Sequence, residues 1–167
     1  SNLPAGTWNV TVASSQTCDT TLSVTITEPD SLILVAVQNQ AVSCNGGNDG
    51  IAVVSQLGGT GPFTYLWDDP NLQTTATATG LEAGTYNVVV TDDNLCTATG
   101  TVLITEATAI NIALDVDSAG CNGTSDGQIL AIVTGGTPTY TYSWSPGGIT
   151  GNPLTGIAAG SYSVIVT

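Results

Sequence analysis

The side chains best equipped for chemistry in this sequence are four cysteines and thirteen aspartates and glutamates, set in 167 residues without one Lys, Arg or His. That imbalance excludes more than it permits. A Ser or Cys nucleophile lacks the His or Lys that would activate it, and nucleic acid or an anionic lipid surface finds no cationic side chain to bind. Adjacent aspartates, Asp68-Asp69 and Asp92-Asp93, have the residue types of an acid/base couple. Neighbouring residues of a strand point to opposite faces, however, and no sugar-cleaving cleft is suggested. The expectation is a protein that is not an enzyme. With a formal charge of −13 the carboxylates have no partner of opposite sign in the chain. They must be solvated, bound to backbone N–H groups or matched by cations.

Oxygen-rich turns surround several of these acids: Asn45-Gly46-Gly47-Asn48-Asp49-Gly50, Asn122-Gly123-Thr124-Ser125-Asp126-Gly127 and Asp92-Asp93-Asn94. Calcium prefers such donors, so Asp49, Asp126, Asp92 and Asp93 are the candidate metal ligands. The competing reading is turn chemistry, because Asp-Gly and Asn-Gly are hairpin signals that need no ion. The cysteines, far apart and without histidine, argue for disulfides in an oxidising compartment rather than zinc. Cys44–Cys96 closes within one unit if its strand count is even, leaving Cys18 and Cys121 with partners elsewhere. An odd count places those two loops roughly 30–40 Å apart, and bridges then join neighbouring units. A further scheme pairs Cys18 with Cys44 and Cys96 with Cys121. Cys44–Cys96 is the expected bridge.

The elements that position these residues recur. Gly58-Gly59-Thr60-Gly61-Pro62-Phe63-Thr64-Tyr65-Leu66-Trp67 returns as Gly135-Gly136-Thr137-Pro138-Thr139-Tyr140-Thr141-Tyr142-Ser143-Trp144. Cys44-Asn45-Gly46 returns as Cys121-Asn122-Gly123. Ala83-Gly84-Thr85-Tyr86 returns as Ala159-Gly160-Ser161-Tyr162, and Thr27-Glu28-Pro29 matches Thr105-Glu106-Ala107. The shifts are 76 to 78 positions, a period of about 77, which is a small domain rather than one turn of a solenoid. The expected layout is the C-terminal part of one repeat (1–29), a complete repeat (30–107) and most of another (108–167), cut from a longer array. Very short joints such as Glu28-Pro29-Asp30 predict a semi-rigid rod.

Hydrophobic residues make up 41% of the chain, mostly Val, Ile, Leu and Ala among abundant Thr, a composition that favours strands. Alternation predicts strands over 7–13, 20–27, 32–38, 50–57, 62–67, 73–79, 85–92 and 97–105, with a short extra one around 69–72. Punctuation at 8–12-residue intervals indicates an all-β fold of tandem antiparallel immunoglobulin-like β-sandwiches. Trp67 and Trp144, with Tyr86 and Tyr162, are the expected core. The threonine strand 74–79 reads as an exposed edge. No apolar run reaches the length of a membrane helix, so no membrane insertion is expected.

Taken together, Val42-Ser43-Cys44-Asn45-Gly46-Gly47-Asn48-Asp49-Gly50, the Gly-Gly-Thr-Gly-Pro-Phe-Thr-Tyr-Leu-Trp cassette, Ala83-Gly84-Thr85-Tyr86, Val90-Thr91-Asp92 through Cys96 and the Ile26-Thr27-Glu28-Pro29 joint resemble the SprB repeat. The likeness spans nearly the whole chain. It implies large surface adhesins of gliding and other Bacteroidota, export by the type IX secretion system, and an extracellular or cell-surface role in adhesion, gliding or a fibre. It also implies the O-glycan acceptor pattern of that group, met here at Ser31, Ser118 and Thr20. The leading expectation is a non-enzymatic spacer repeat of a long adhesin or surface filament. Its partners would be neighbouring repeats, other copies in a fibre, or surface polysaccharide. The alternatives are a calcium-dependent glycan-binding module and a self-assembling fibre subunit.

Overall fold

The structure, a computed structural model, describes residues 2–15, 19–121 and 123–167. It is all β, with thirteen strands among the described residues: β1 (Gly6–Ala13), β2 (Asp19–Ile26), β3 (Ile33–Gln40), β4 (Gly50–Leu57), β5 (Thr64–Trp67), β6 (Thr77–Leu81), β7 (Gly84–Thr91), β8 (Thr97–Ile104), β9 (Asn111–Asp117), β10 (Gly127–Thr134), β11 (Tyr142–Ser145), β12 (Leu154–Ile157) and β13 (Ser163–Val166). No helix among them is long and apolar enough to cross a membrane.

β1 and β2 form an antiparallel hairpin in unbroken register from Gly6↔Ile26 to Ala13↔Asp19. The next six strands make two three-stranded sheets, β3-β4-β6 and β5-β7-β8. These are the A-B-E and C-F-G sets of an immunoglobulin sandwich. The order then repeats, with β9, β10 and β12 in one sheet and β11 and β13 in the other. By contact density the chain divides into two compact units, residues 1–37, 53–77 and 86–101 in the first, and 38–52, 78–85 and 102–167 in the second.

The alternation expected of half-buried strands sets each core. In the first unit Val54, Trp67, Val88 and Val90 are buried, while Thr64 and Leu66, between the aromatics of β5, stay exposed. In the second, Ile129, Ala131, Trp144 and Leu154 form a buried cluster, with Tyr142, Ile157, Tyr162 and Val164 packed against it. Val42, Ala52, Ala78, Leu81, Val102 and Ile104 are also buried there. Both tryptophans are essentially inaccessible, and each indole N–H is satisfied by the segment crossing between sheets: Trp67 Nε1 donates to Thr75 O at 2.9 Å, and Trp144 Nε1 to Gly151 O at 2.8 Å. Removing a ring of about 200 Å² from water contributes about 5 kcal/mol before entropy is charged.

Two local expectations fail. Residues 69–72 form a turn, not a strand: Asp69 is buried and accepts the N–H groups of Asn71 and Gln73 at 3.0 and 2.9 Å and the Gln73 side-chain amide at 3.0 Å. A carboxylate that captures local N–H groups removes them from any ladder. The threonine strand accordingly begins only at Thr77.

Candidate functional site: the connector at residues 105–110

Thr105-Glu106-Ala107-Thr108-Ala109-Ile110 joins β8 to β9, and each residue from Thr105 to Thr108 is hydrogen-bonded to a neighbouring loop. On one side stands the turn after β3. Val42 N–H donates to Thr105 O at 2.8 Å, Ala107 N–H returns to Val42 O at 3.3 Å, and Val42 and Glu106 form a parallel bridge. The Glu106 carboxylate accepts Gly46 N–H at 2.6 Å on one oxygen and Asn45 Nδ2 at 2.9 Å on the other. Asn45 Nδ2 also lies 3.3 Å from Ala107 O. Charge-assisted bonds of this length are the stronger kind. Gln38 Oε1 completes the grip, accepting Thr105 N–H at 2.9 Å and Thr105 Oγ1–H at 3.1 Å.

On the other side stands the Gly-Gly turn after β10. Gly136 N–H donates to Thr108 O at 2.7 Å. Both glycines have positive φ, and a Cβ at Gly135 would collide with the Ala109 carbonyl oxygen. The same clasp closes on the earlier connector, where Gly59 N–H donates to Asp30 O at 2.8 Å and a Cβ at Gly58 would strike Ser31 O. Glycine is required in the cassette because the backbone must approach the connector this closely. Four of the six residues are thus hydrogen-bonded to flanking loops, and Ala109 and Ile110 lie against the Gly-Gly turn.

The carboxylates singled out by sequence serve the loops that make these grips. Asp49 accepts Ser43 N–H at 2.9 Å, and Ser43, through its hydroxyl and its N–H, holds that carboxyl below the usual carboxylate range. Asp126 does the same in the matching turn, accepting Thr124 Oγ1–H at 2.7 Å and Gly120 N–H at 3.1 Å, with the Thr124 hydroxyl the main cause of its lowered pKa. Asp92 ties the Gly-Gly turn to the β7–β8 loop by accepting Thr60 N–H at 3.0 Å and Cys96 N–H at 2.8 Å. The Thr60 bond chiefly lowers its pKa against the opposing effect of burial. Asp93 contributes its N–H to Thr60 O at 2.9 Å. Among the described residues no three of His, Cys, Asp or Glu are grouped as a metal site. Asp69, whose pKa burial works to raise, is held low by the N–H and side-chain amide of Gln73 and the N–H of Asn71.

Cys44, Cys96 and Cys121 are free and exposed, so the expected Cys44–Cys96 bridge is absent from this structure; Cys18 lies outside the described residues. The reason is the strand between the two loops. Cys44 adjoins Asn45, which bonds Glu106 just beyond the end of β8, whereas Cys96 immediately precedes the start of β8. Eight extended residues span about 26 Å, against a Cα separation of about 6 Å for a disulfide. The side chains of Thr20, Ser31 and Ser118, the candidate glycan acceptors, are exposed.

Glu106 and Gln38 were not among the residues the sequence singled out, and Asp69 was weighed only as half of an acid/base couple. The recurrence of Thr-Glu at 27–28 and 105–106 marked the position, but nothing local indicated that the glutamate reaches back sixty residues.

The SprB repeat family matches the chain in two places, residues 38–72 and 113–148. No curated protein matches it. Among solved structures, murine CEACAM1b is similar at 12% identity and a TM-score of 0.36, over 81% of this chain and 92% of that one. The N-terminal four Ig domains of Dscam1 isoform 6.44 align at 12% identity and a TM-score of 0.32, over 89% of this chain and 47% of that one.

Proposed function

We propose, from the match of the SprB repeat family to residues 38–72 and 113–148, that the chain is a non-enzymatic spacer of a long extracellular adhesin or surface filament, delivered by type IX secretion. Adhesion or gliding would then be served by reach and stiffness, with the repeats as links and short connectors as fixed joints. The repeat boundaries in this reading fall at about residues 30 and 108. The observation that carries it is the double grip on residues 105–110: a link with no slack transmits orientation and tension from one sandwich to the next, whereas a linker meant for free swivelling would be long, polar and unbonded. The high negative charge keeps such arrays apart and soluble. This reading assigns no part to calcium or a sugar ligand: the carboxylates of Asp49, Asp92 and Asp126 serve as acceptors that order the loops.

Stiffness is measurable with the native thiols. With Cys18 and Cys96 changed to Ser, spin labels on Cys44 and Cys121 flank the connector. The expected result is a narrow distance distribution that widens at least twofold in width when Glu106→Ala removes the acceptor for Gly46 and Asn45. A distribution already broad in the parent chain would defeat the spacer reading.

A further inference from the structure

The two strand sets treat the edge strand that opens each of them in opposite ways. β3 pairs with β4 on one side and with no strand on the other among the described residues. Its inward row, Leu34 and Ala36, is half-buried, and a Cβ on Gly100 of β8 would lie 3.3 Å from Ala36 Cβ. Its outward row, Ile33, Val35 and Val37, is 56%, 57% and 49% exposed, although all the other strands of its set are in place. In β9, also an edge, the matching outward positions are Asn111, Ala113 and Asp115, followed by Asp117. An outward charge on an edge strand keeps other strands from pairing with it. β9 has that guard twice and β3 lacks it: between Asp30 and Asp49 the chain carries no charge. The remaining edges of the first set are poorer templates. β5 and β6 have four and five residues, and β8 is weakened by Gly100.

We propose that β3 is a lateral contact between two copies of this chain, paired antiparallel about a two-fold axis at Val35. That register sets Ile33 against Val37 of the other copy and Val35 against its own counterpart, so six β-branched side chains run across the junction on one face. Leu34 meets Ala36 on the inward side. The strand is thus self-complementary, as a two-fold interface must be. The occupant follows from charge and from area. Each copy carries −13 and no cation, so two chains repel except along an uncharged strip, and β3 is such a strip on a long sheet edge. A cationic partner would be drawn to the acidic loops instead. A strand of eight residues, about 26 Å long, buries roughly half of the ~800 Å² per partner found in stable complexes. One such contact is weak, and it gains strength against a partner that presents several of the same edges. A second array of these repeats does so, and to that extent the inference rests on the spacer reading.

The test is sedimentation of the full chain from about 10 μM to about 1 mM, the range in which a weak single contact populates. Reductant keeps the exposed thiols of Cys44, Cys96 and Cys121 from linking chains. The average mass should rise with concentration toward that of a dimer. The association constant should grow at least fivefold from low to high salt, as the repulsion is screened. Amide exchange over Ile33–Gln40 should slow with the same concentration dependence, and exchange over Asn111–Asp117 should not. Val37→Asp copies the carboxylate that β9 carries at Asp115, so the chain should still fold, and association should weaken at least tenfold. Val37→Thr keeps the branch without the charge and should stay within threefold of the parent chain. The proposal is overturned if the chain stays monomeric over the whole range, if association weakens with salt, or if Val37→Asp associates as the parent does. It is also overturned if concentration-dependent protection falls outside β3, since another surface would then be the contact. The spin-label widths report on the connector alone, so either reading can fail without the other.

Discussion

The strand sets β3–β8 and β9–β13 share one grammar but tie the crossing segment to the sheet in different ways. Both place a tryptophan at the end of the aromatic strand, both satisfy its indole N–H from the crossing segment, and both lock the turn after their first strand with an aspartate. They part where β6 begins. In the first set Val54 N–H is answered by the backbone of Ala76 at 2.9 Å. In the second, the Asn152 side chain does that work, its Oδ1 accepting Ala131 N–H at 2.8 Å and its Nδ2 donating to Ala131 O at 2.7 Å. The comparison teaches that the repeat unit is specified by its tryptophan and its turns, and that the crossing segment can be tied by backbone or by a side chain.

The largest effect should come from the tryptophans. Trp67→Ala and Trp144→Ala are each expected to cost about 3–5 kcal/mol, because both rings are fully buried and each deletion leaves a cavity. Amide exchange in β7 and β13 respectively reads each loss locally. A loss below about 1 kcal/mol at either position would mean that its tryptophan does not organise that core.

Asn152→Ala comes next. It strips two hydrogen bonds from a partly buried backbone position and leaves Ala131 N–H and C=O without their partner, an expected loss of about 1–3 kcal/mol. The corresponding change at Ala76, to Gly, should cost less than about 1 kcal/mol, since its contribution is made by backbone. Urea unfolding of the two variants compares them directly. A near-neutral Asn152→Ala would show that water replaces the side chain.

How much of this was legible follows the range of each interaction. Strand alternation in Phe63-Thr64-Tyr65-Leu66-Trp67 is local, so the buried tryptophan and the all-β class could be read directly. The Gly-Gly turn was recognisable as a turn. Its actual requirement, close approach to Ser31 or Ala109, depends on which distant segment lies beside it. The Asp49 and Asp126 turns were visible as either metal or turn chemistry, and their N–H partners at Ser43 and Gly120 are near enough in sequence to have favoured the turn. The disulfide expectation rested on strand parity, and parity failed because the crossing segment at 69–76 reverses the chain without forming a strand. Glu106 and Asn152 bond across sixty and twenty-one residues, where periodicity carries no information.

The smallest effect concerns acid. Asp49, Asp69 and Asp92 in the first set and Asp126 in the second all have pKa values lowered by hydrogen bonds to their carboxylates. A lowered folded pKa stabilises the native state fully above the unfolded value, about 3.9 for aspartate, and that contribution is lost as pH falls through the folded value. Stability should therefore be level from pH 7 to about 5 and decline below about 4. With three such residues against one, the decline should be steeper in amide protection of β4 and β7 than of β10 and β13. Asp92→Asn should flatten part of the slope in β7 while leaving β13 unchanged. Equal slopes in both sets would place the acid-sensitive bonds elsewhere, and the loops gripping the connectors would owe their order to glycine and backbone alone.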